Sequence, residues 1–181
     1  MLTDAKLRSS IDQLWNKLWS GGLSNPSDAI EQLTDTASEF PRIDDRFTGM
    51  RNRYTWGLEM DMRRPVEIKG GSAAGFMMNC LFLKDLETGA EQHWWCGPIS
   101  SLQEPCFIAR TQDAPEGEGW IVMACNRLEE HRSDLLVFDA LDIEKGPIAT
   151  IQVPIRLRFG LHGNFARSED IGLDTRIARA A

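Results

Sequence analysis

The chain has 181 residues, of which 42% are hydrophobic and 26% are charged, a composition typical of one globular domain or of one small domain with an appendage. Its net charge of −7 argues against a nucleic-acid-binding surface, which requires clustered basic residues. No apolar run approaches the roughly 20 residues of a membrane-spanning helix, and the N-terminus "MLTDAKLRSS" lacks the apolar segment of a secretory signal.

Apolar residues near the N-terminus recur at helical spacing and predict a helix over residues 4–20. The sequence "SGG" ends this helix, because glycine readily adopts the left-handed conformation of a helix C-cap. A second helix follows, with Asn25 as its N-cap and Pro26 at its first position. Residues 1–36 are therefore predicted to form a helical hairpin. The apolar stripe of the first helix consists of Leu7, Ile11, Leu14, Trp15, Leu18 and Trp19.

After Thr36 the pattern changes to short stretches rich in β-branched, aromatic and other large apolar residues. Turn sequences such as "LETGA", "DAPEGEG" and "DIEKG" separate them. This pattern predicts a mainly β unit, with antiparallel strands and no long helix over residues 53–157. The stretches that predict strands are RYTWGLEM, FMMNCLFLKDL, EQHWWCG, CFIAR, GWIVMACN, DLLVFDA and PIATIQVPIRL.

Three blocks of this β region follow one another along the chain: "EFPRIDDRFTGMRNRYTW", "QEPCFIAR" and a C-terminal run that ends in "RFGLHGNF". In this combination residues 38–165 resemble the carotenoid cleavage oxygenase family, which includes the lignostilbene dioxygenases. The resemblance implies a β-propeller of seven blades, of which this chain would hold the C-terminal ones.

The resemblance also implies a site. Family members bind Fe(2+) on the propeller axis through four histidines, the last of which corresponds to His162. Glutamates accept hydrogen bonds from the ligand imidazoles, and two of these correspond to Glu39 and Glu104. Such carboxylates fix the imidazole tautomer and strengthen the ligand. The implied activity is that of an iron(II)-dependent dioxygenase, which cleaves a C=C bond of a carotenoid, apocarotenoid or stilbene-like substrate into two carbonyl products.

The chain departs from the family pattern, because it contains three histidines and lacks the blocks that supply the other ligands. His93 in "EQHWW" and His131 in "LEEHRSD" fall outside the ligand motifs. We expect His93 to be an ordinary strand residue and His131 to lie in a polar turn. At roughly 40–45 residues a blade, the β part suffices for about three blades. We therefore expect a truncated, inactive unit with no complete catalytic set and with weak or absent iron binding.

Residues 7–34 resemble the N-terminus of the modification subunit of type I restriction enzymes. The glycine-rich cofactor loop of a methyltransferase is absent, so we do not expect DNA methylation. These observations predict a fusion, with residues 1–36 as a helical segment and residues 37–181 as the oxygenase-like part. The alternative function is a noncatalytic interaction module whose N-terminal helices bind a protein partner.

The four cysteines, Cys80, Cys96, Cys106 and Cys125, form no C-x-x-C pair. This spacing indicates reduced thiols and a cytoplasmic location, and it argues against a zinc site. Trp94, Trp95 and Trp120 are interpreted as core residues, with a substrate tunnel as the alternative.

Overall fold

A computed structural model describes residues 38–66, 78–158, 160 and 162–167, and within them nine β-strands form two antiparallel sheets. In the first sheet the strands lie in chain order, and each pairs with the next. Within the described residues, no helix combines the length and the apolar character that crossing a bilayer would require. The strands of the first sheet are β1 (Ser38–Arg42), β2 (Tyr54–Glu59), β3 (Cys80–Asp85) and β4 (Glu91–Trp95).

The second sheet is built around its long central strand, β7. The short strands β5 and β6 both pair with one edge of β7, so together they act as a single interrupted strand. On the other edge of β7 lies β8, which in turn pairs with β9. The strands of this sheet are β5 (Ser100–Leu102), β6 (Cys106–Ala109), β7 (Gly119–Arg127), β8 (Arg132–Asp139) and β9 (Ala149–Val153).

The core lies between the two sheets and takes side chains from both. Trp56 of β2 stacks on Phe107 of β6, with ring centroids 5.0 Å apart and planes 18° apart. The Trp56 indole donates to the Ala140 carbonyl oxygen at 2.7 Å, so its one polar atom is satisfied. Burying an aromatic side chain of this size stabilises the fold by about 1.5–3 kcal/mol. The fully buried apolar residues include Trp56, Leu58, Leu81, Leu102, Ile121, Leu136 and Phe138.

The alternating pattern of β7 explains how one strand serves both the core and the surface. Ile121 and Met123 are buried, whereas Trp120 and Val122 are partly exposed, in agreement with the two-residue period of a strand. The Trp120 ring lies under the guanidinium of Arg110, with 5.0 Å between Cζ and the centroid. Trp94 packs edge-on against Phe138, with centroids 4.9 Å apart. Trp94 therefore belongs to the core margin, and Trp120 lies on the outer face.

The predicted mainly β, antiparallel architecture is confirmed. The helices in the described part of residues 53–157 amount to one three-residue 3₁₀ turn, Ile143–Lys145, and a second turn, Asp45–Phe47, precedes β2. Two strands were not predicted, β1 and β5. The described strands between residues 38 and 153 make two sheets, where chain length suggested about three blades. The N-terminal helical hairpin lies outside the described residues.

Candidate functional site

Glu104 lies at the interruption between β5 and β6. The register passes from Leu102 opposite Cys125 to Cys106 opposite Val122, so the interrupted strand has one residue more than β7 over this stretch. Pro105 has no N–H to donate to the ladder, which favours an interruption here. Such irregularities redirect a side chain away from the regular alternation. Glu104 is thereby placed at the sheet edge, with 12% of its side chain exposed.

The segment that contains His162 lies against Glu104. The Gly163 amide donates to Oε2 of Glu104 at 2.7 Å, and Nδ1 of His162 lies 3.4 Å from the same oxygen. The second distance is longer than an ordinary hydrogen bond. The imidazole is 81% exposed, so its other edge is open. The structure thus brings together two of the three residues that the sequence indicated, Glu104 and His162.

Glu39 lies on β1, opposite Leu58, and is exposed. In the part of the chain that the structure describes, no ion pair or hydrogen bond joins its carboxylate to His162 or Glu104. Its neighbour Phe40 does reach the site, with its ring centroid 6.0 Å from that of His162 and the rings at 74°. The role of Glu39 behind a metal ligand stays a prediction.

Arg42 is the site residue that sequence reasoning missed. Its Nη2 donates to Oε1 of Glu104 at 3.1 Å and to the Gly163 carbonyl oxygen at 3.0 Å. Its Nε donates to the Pro105 carbonyl oxygen at 3.1 Å. The available signal was its position in "EFPRI", three residues after Glu39. Arg42 lies in the same sequence block as Glu39, and the positive charge of a partly buried arginine requires an acceptor such as a carboxylate.

The two remaining histidines lie on other elements of the described chain. Nδ1 of His93, on β4, is 2.8 Å from Oε1 of Glu59, and its Nε2 is 3.4 Å from Oε2 of Glu91. The hydrogen bond with Glu59 raises the pKa of His93. His131 lies in the turn before β8, with a φ of 53°. The strand and turn positions predicted for His93 and His131 are confirmed.

A second group of potential metal ligands lies in the first sheet. Glu59, Asp61 and Cys80 are buried, with ligand atoms within 4.8 Å of one another. The negative charge of Asp61 is already paired with Arg63, whose Nε lies 2.7 Å from Oδ1 of Asp61. Burial, together with the charge of Glu59, raises the pKa of the Cys80 thiol to about 12, so the thiol is protonated at neutral pH. A metal bound here would have to displace the thiol proton of Cys80 and compete with Arg63 for Asp61.

A small cavity lies beside Asn164 and Phe165. Its volume is about 180 Å³, below the roughly 300–1,000 Å³ of pockets that enclose a drug-sized ligand. The lining residues include Asp45, Phe107, Gln112, Asn164 and Phe165. This cavity therefore does not enclose a stilbene or a carotenoid.

Of the three histidines, His162 is placed so that it could form one coordination bond to iron. A proton on Nδ1 that faces Glu104 leaves the lone pair of Nε2 available, and a neutral imidazole is a good ligand for iron. The carboxylates next to His93 engage both of its ring nitrogens, and His131 belongs to the turn before β8. His162 can therefore contribute a ligand, but His93 and His131 do not complete a site around it.

Comparisons with known proteins show the family to which the chain belongs. The sequence profile of the family described as retinal pigment epithelial membrane protein (RPE65) matches residues 6–167. The chain is 46% identical over 151 residues to lignostilbene-alpha,beta-dioxygenase isozyme III of Sphingomonas paucimobilis, covering 82% of this chain and 31% of that protein. It is 39% identical over 147 residues to isoeugenol monooxygenase of Pseudomonas nitroreducens, covering 80% and 30%. The crystal structure of Pseudomonas brassicacearum lignostilbene dioxygenase aligns with a TM-score of 0.70 and 40% identity, over 74% of this chain and 28% of that one.

Two features of these comparisons bear on the sequence predictions. The chain spans about three tenths of the length of the relatives it matches. The profile match begins at residue 6, so it includes residues 7–34. Nothing in these comparisons supports the resemblance of residues 7–34 to a restriction-modification subunit, and the division at residues 36 and 37 stays a prediction.

Proposed function

Because this chain belongs to the retinal pigment epithelial membrane protein family, the carotenoid cleavage oxygenases indicated by its sequence motifs, we propose that it supplies the C-terminal part of an iron(II)-dependent dioxygenase. The observation that supports this proposal most directly is the approach of Nδ1 of His162 to Oε2 of Glu104, at 3.4 Å. In the proposed function, His162 is an iron ligand and Glu104 orients it.

Each residue of the site has a defined task in this proposal. Glu104 favours the tautomer with the proton on Nδ1, which keeps the Nε2 lone pair free to bind metal. The Gly163 amide bond to Glu104 holds the carboxylate against the segment that contains the imidazole. Phe40 limits the rotation of the His162 ring by packing edge-on against it. Iron, when bound, would supply the activation of dioxygen.

The proposed substrate class is a small molecule with a C=C bond conjugated to a phenolic ring, as in a stilbene, and the products are two carbonyl compounds. Support comes from the two relatives and the solved structure described above, which are named for lignostilbene and isoeugenol. A carotenoid or apocarotenoid is the second candidate in the same reaction class. The free thiols of Cys80, Cys96, Cys106 and Cys125 support a reducing compartment such as the cytoplasm.

These 181 residues do not complete the catalytic site in this proposal. One histidine lies in a ligand motif where the family resemblance implies four ligand histidines, and a metal site requires several ligands at fixed distances. Iron binding by this chain alone should therefore be weak, and cleavage absent.

Anaerobic titration with ferrous iron tests the proposal. We expect weak iron binding that disappears in His162→Ala and persists in the matched control, His93→Gln. The His162 ring has an exposed edge, whereas carboxylates engage both ring nitrogens of His93. Binding that survives in His162→Ala and is lost in His93→Gln would contradict the assignment. The alternative of an interaction module for a restriction-modification partner has no supporting observation among the described residues.

A further inference from the structure

We propose that Arg42 is a positioning residue, which holds Glu104 and the His162–Gly163 segment in the arrangement that a metal-binding imidazole requires. This inference rests on the proposed function, because it concerns the same site. It adds a residue that acts on His162 only through Glu104 and Gly163.

The Arg42 guanidinium connects three segments of the chain that are distant in sequence. It donates to the Glu104 carboxylate at 3.1 Å, to the Gly163 carbonyl oxygen at 3.0 Å and to the Pro105 carbonyl oxygen at 3.1 Å. Only 14% of the Arg42 side chain is exposed, so these bonds are partly shielded from water. A planar guanidinium can satisfy several acceptors at fixed angles, which a lysine ammonium cannot reproduce.

Arg42 acts on one oxygen of Glu104, and the imidazole faces the other. Oε1 accepts from Arg42, whereas Oε2 accepts from the Gly163 amide at 2.7 Å and faces Nδ1 of His162. Because a carboxylate is rigid and planar, fixing Oε1 sets the direction of Oε2. The Gly163 peptide is also held twice, through its carbonyl oxygen by Arg42 and through its amide by Glu104. The three residues thus form a closed ring of hydrogen bonds next to His162.

An irregularity in β1 places Arg42 there. Two residues separate Glu39 from Arg42, but only one separates their partners Leu58 and Trp56, so β1 contains a bulge. Phe40 lies within it, with a φ of 57° that is rare for an aromatic residue. Bulges redirect side chains and occur frequently beside functional sites. The backbone strain of β1 therefore coincides with the two side chains, Phe40 and Arg42, that define the surroundings of His162.

Amide hydrogen exchange of the 181-residue protein, measured by NMR without metal, tests the clamp. In Arg42→Met the Gly163 amide should exchange about tenfold faster, because a charged hydrogen bond that holds its acceptor is lost. Ile121 in β7 reports global stability and should not change. Arg42→Lys should give an intermediate rate. The matched control is Arg51→Met, which removes an arginine that is 84% exposed, and it should leave Gly163 unchanged.

A double-mutant cycle separates positioning from a merely structural role. If Arg42 acts through Glu104, then adding Arg42→Met to Glu104→Gln should change Gly163 exchange by less than about twofold. The full tenfold effect in that background would overturn the proposal, and so would an unchanged Gly163 rate in Arg42→Met. Should Arg42→Met lose protection at Ile121 as well, Arg42→Lys decides, since faster exchange confined to Gly163 supports the clamp and no change contradicts it.

Cobalt(II) titration, followed through the imidazole signals of His162, distinguishes this inference from the proposed function. Wild type should respond at lower cobalt concentration than Arg42→Met, with Arg42→Lys in between. No response in wild type would contradict the proposed function, whatever the exchange rates show. An equal response in wild type and Arg42→Met would contradict the positioning role alone.

Discussion

Nδ1 of His162 lies 3.4 Å from Oε2 of Glu104, and this contact joins the end of the described chain to the interruption between β5 and β6. The relationship is tertiary, because the two residues belong to segments that do not pair as strands. The same carboxylate oxygen accepts from the Gly163 amide, and the other accepts from Arg42. The Glu104 carboxylate therefore contacts the other three residues of the candidate site, Arg42, His162 and Gly163.

Glu104→Gln should lower the free energy of unfolding by about 1.5–3 kcal/mol, because the hydrogen bonds to its charged carboxylate are partly shielded from water. Urea denaturation measures the change. Glu118→Gln is the matched control, since Glu118 forms an exposed pair with Arg110 at 3.3 Å and its loss should cost at most about 1 kcal/mol. Equal effects of the two substitutions would show that Glu104 does not organise the site.

Trp56→Ala should destabilise the protein by about 3–5 kcal/mol, because it opens a cavity between the sheets and leaves the Ala140 carbonyl oxygen without its donor. The loss should appear in urea and thermal unfolding. Trp120→Ala removes an indole that stacks with Arg110 on the outer face, and should cost clearly less. A larger loss for Trp120→Ala would contradict the location of the core.

Stability should decrease at acid pH through Asp134. Burial of this carboxyl opposes its ionisation, but hydrogen bonds from Arg132 and Arg127 outweigh burial and lower its pKa. A lowered pKa contributes stability that is present above the unfolded value of about 4 and is lost as pH falls through the folded value. Unfolding midpoints measured at intervals from about pH 6 down to about pH 2.5 should show this decrease. Asp134→Asn should flatten the curve, and an unchanged curve would rule out Asp134 as its source.

Stability should decrease at alkaline pH through His93. The hydrogen bond to Glu59 raises the pKa of His93, so its contribution is fully present below the unfolded value of about 6.5. That contribution is lost as pH rises through the folded pKa. Unfolding measured from pH 6 to pH 9 should therefore show a downward slope in wild type, on the order of 1 kcal/mol or less for a partly exposed pair. The slope should disappear in both His93→Gln and Glu59→Gln; a slope that persists in both would have another origin.

The 181-residue protein alone should not cleave a lignostilbene or a carotenoid. After anaerobic reconstitution with ferrous iron and exposure to air, we expect no aldehyde above a control without protein, because one imidazole does not hold iron in a defined geometry. Product detection by mass spectrometry is the measurement. Aldehydes that disappear in His162→Ala would show that these residues complete a site by themselves.

Much of the fold was predictable because strand periodicity and turn residues are local signals. The alternation of β7 and the glycine-rich hairpin before it are legible in "DAPEGEGWIVMACN". β1 was not predictable in this way, since Pro41 and the bulge remove its alternation. β5 has three residues, two of them serines that are buried only through tertiary packing.

The candidate site was predictable only where the family motifs reach. His162 and Glu104 each lie in a motif, and the structure places them together. Arg42 was missed because its partners, Glu104 and Gly163, come from segments whose proximity no local pattern reveals. Similarly, the Glu116 side chain accepts from the Arg53 amide at 2.6 Å, although the sequence "DAPEGEG" indicated only a turn between strands.

The most direct test of the central claim is lignostilbene cleavage by a chimera. Residues 38–167 of this chain would replace the matching portion of Pseudomonas brassicacearum lignostilbene dioxygenase, the structural relative with 40% identity. We predict that the folded, iron-loaded chimera forms aldehyde products and that His162→Ala within it abolishes both iron retention and product. A folded chimera whose activity is unaffected by His162→Ala, or one that retains iron through His162 but forms no product, would contradict the claim.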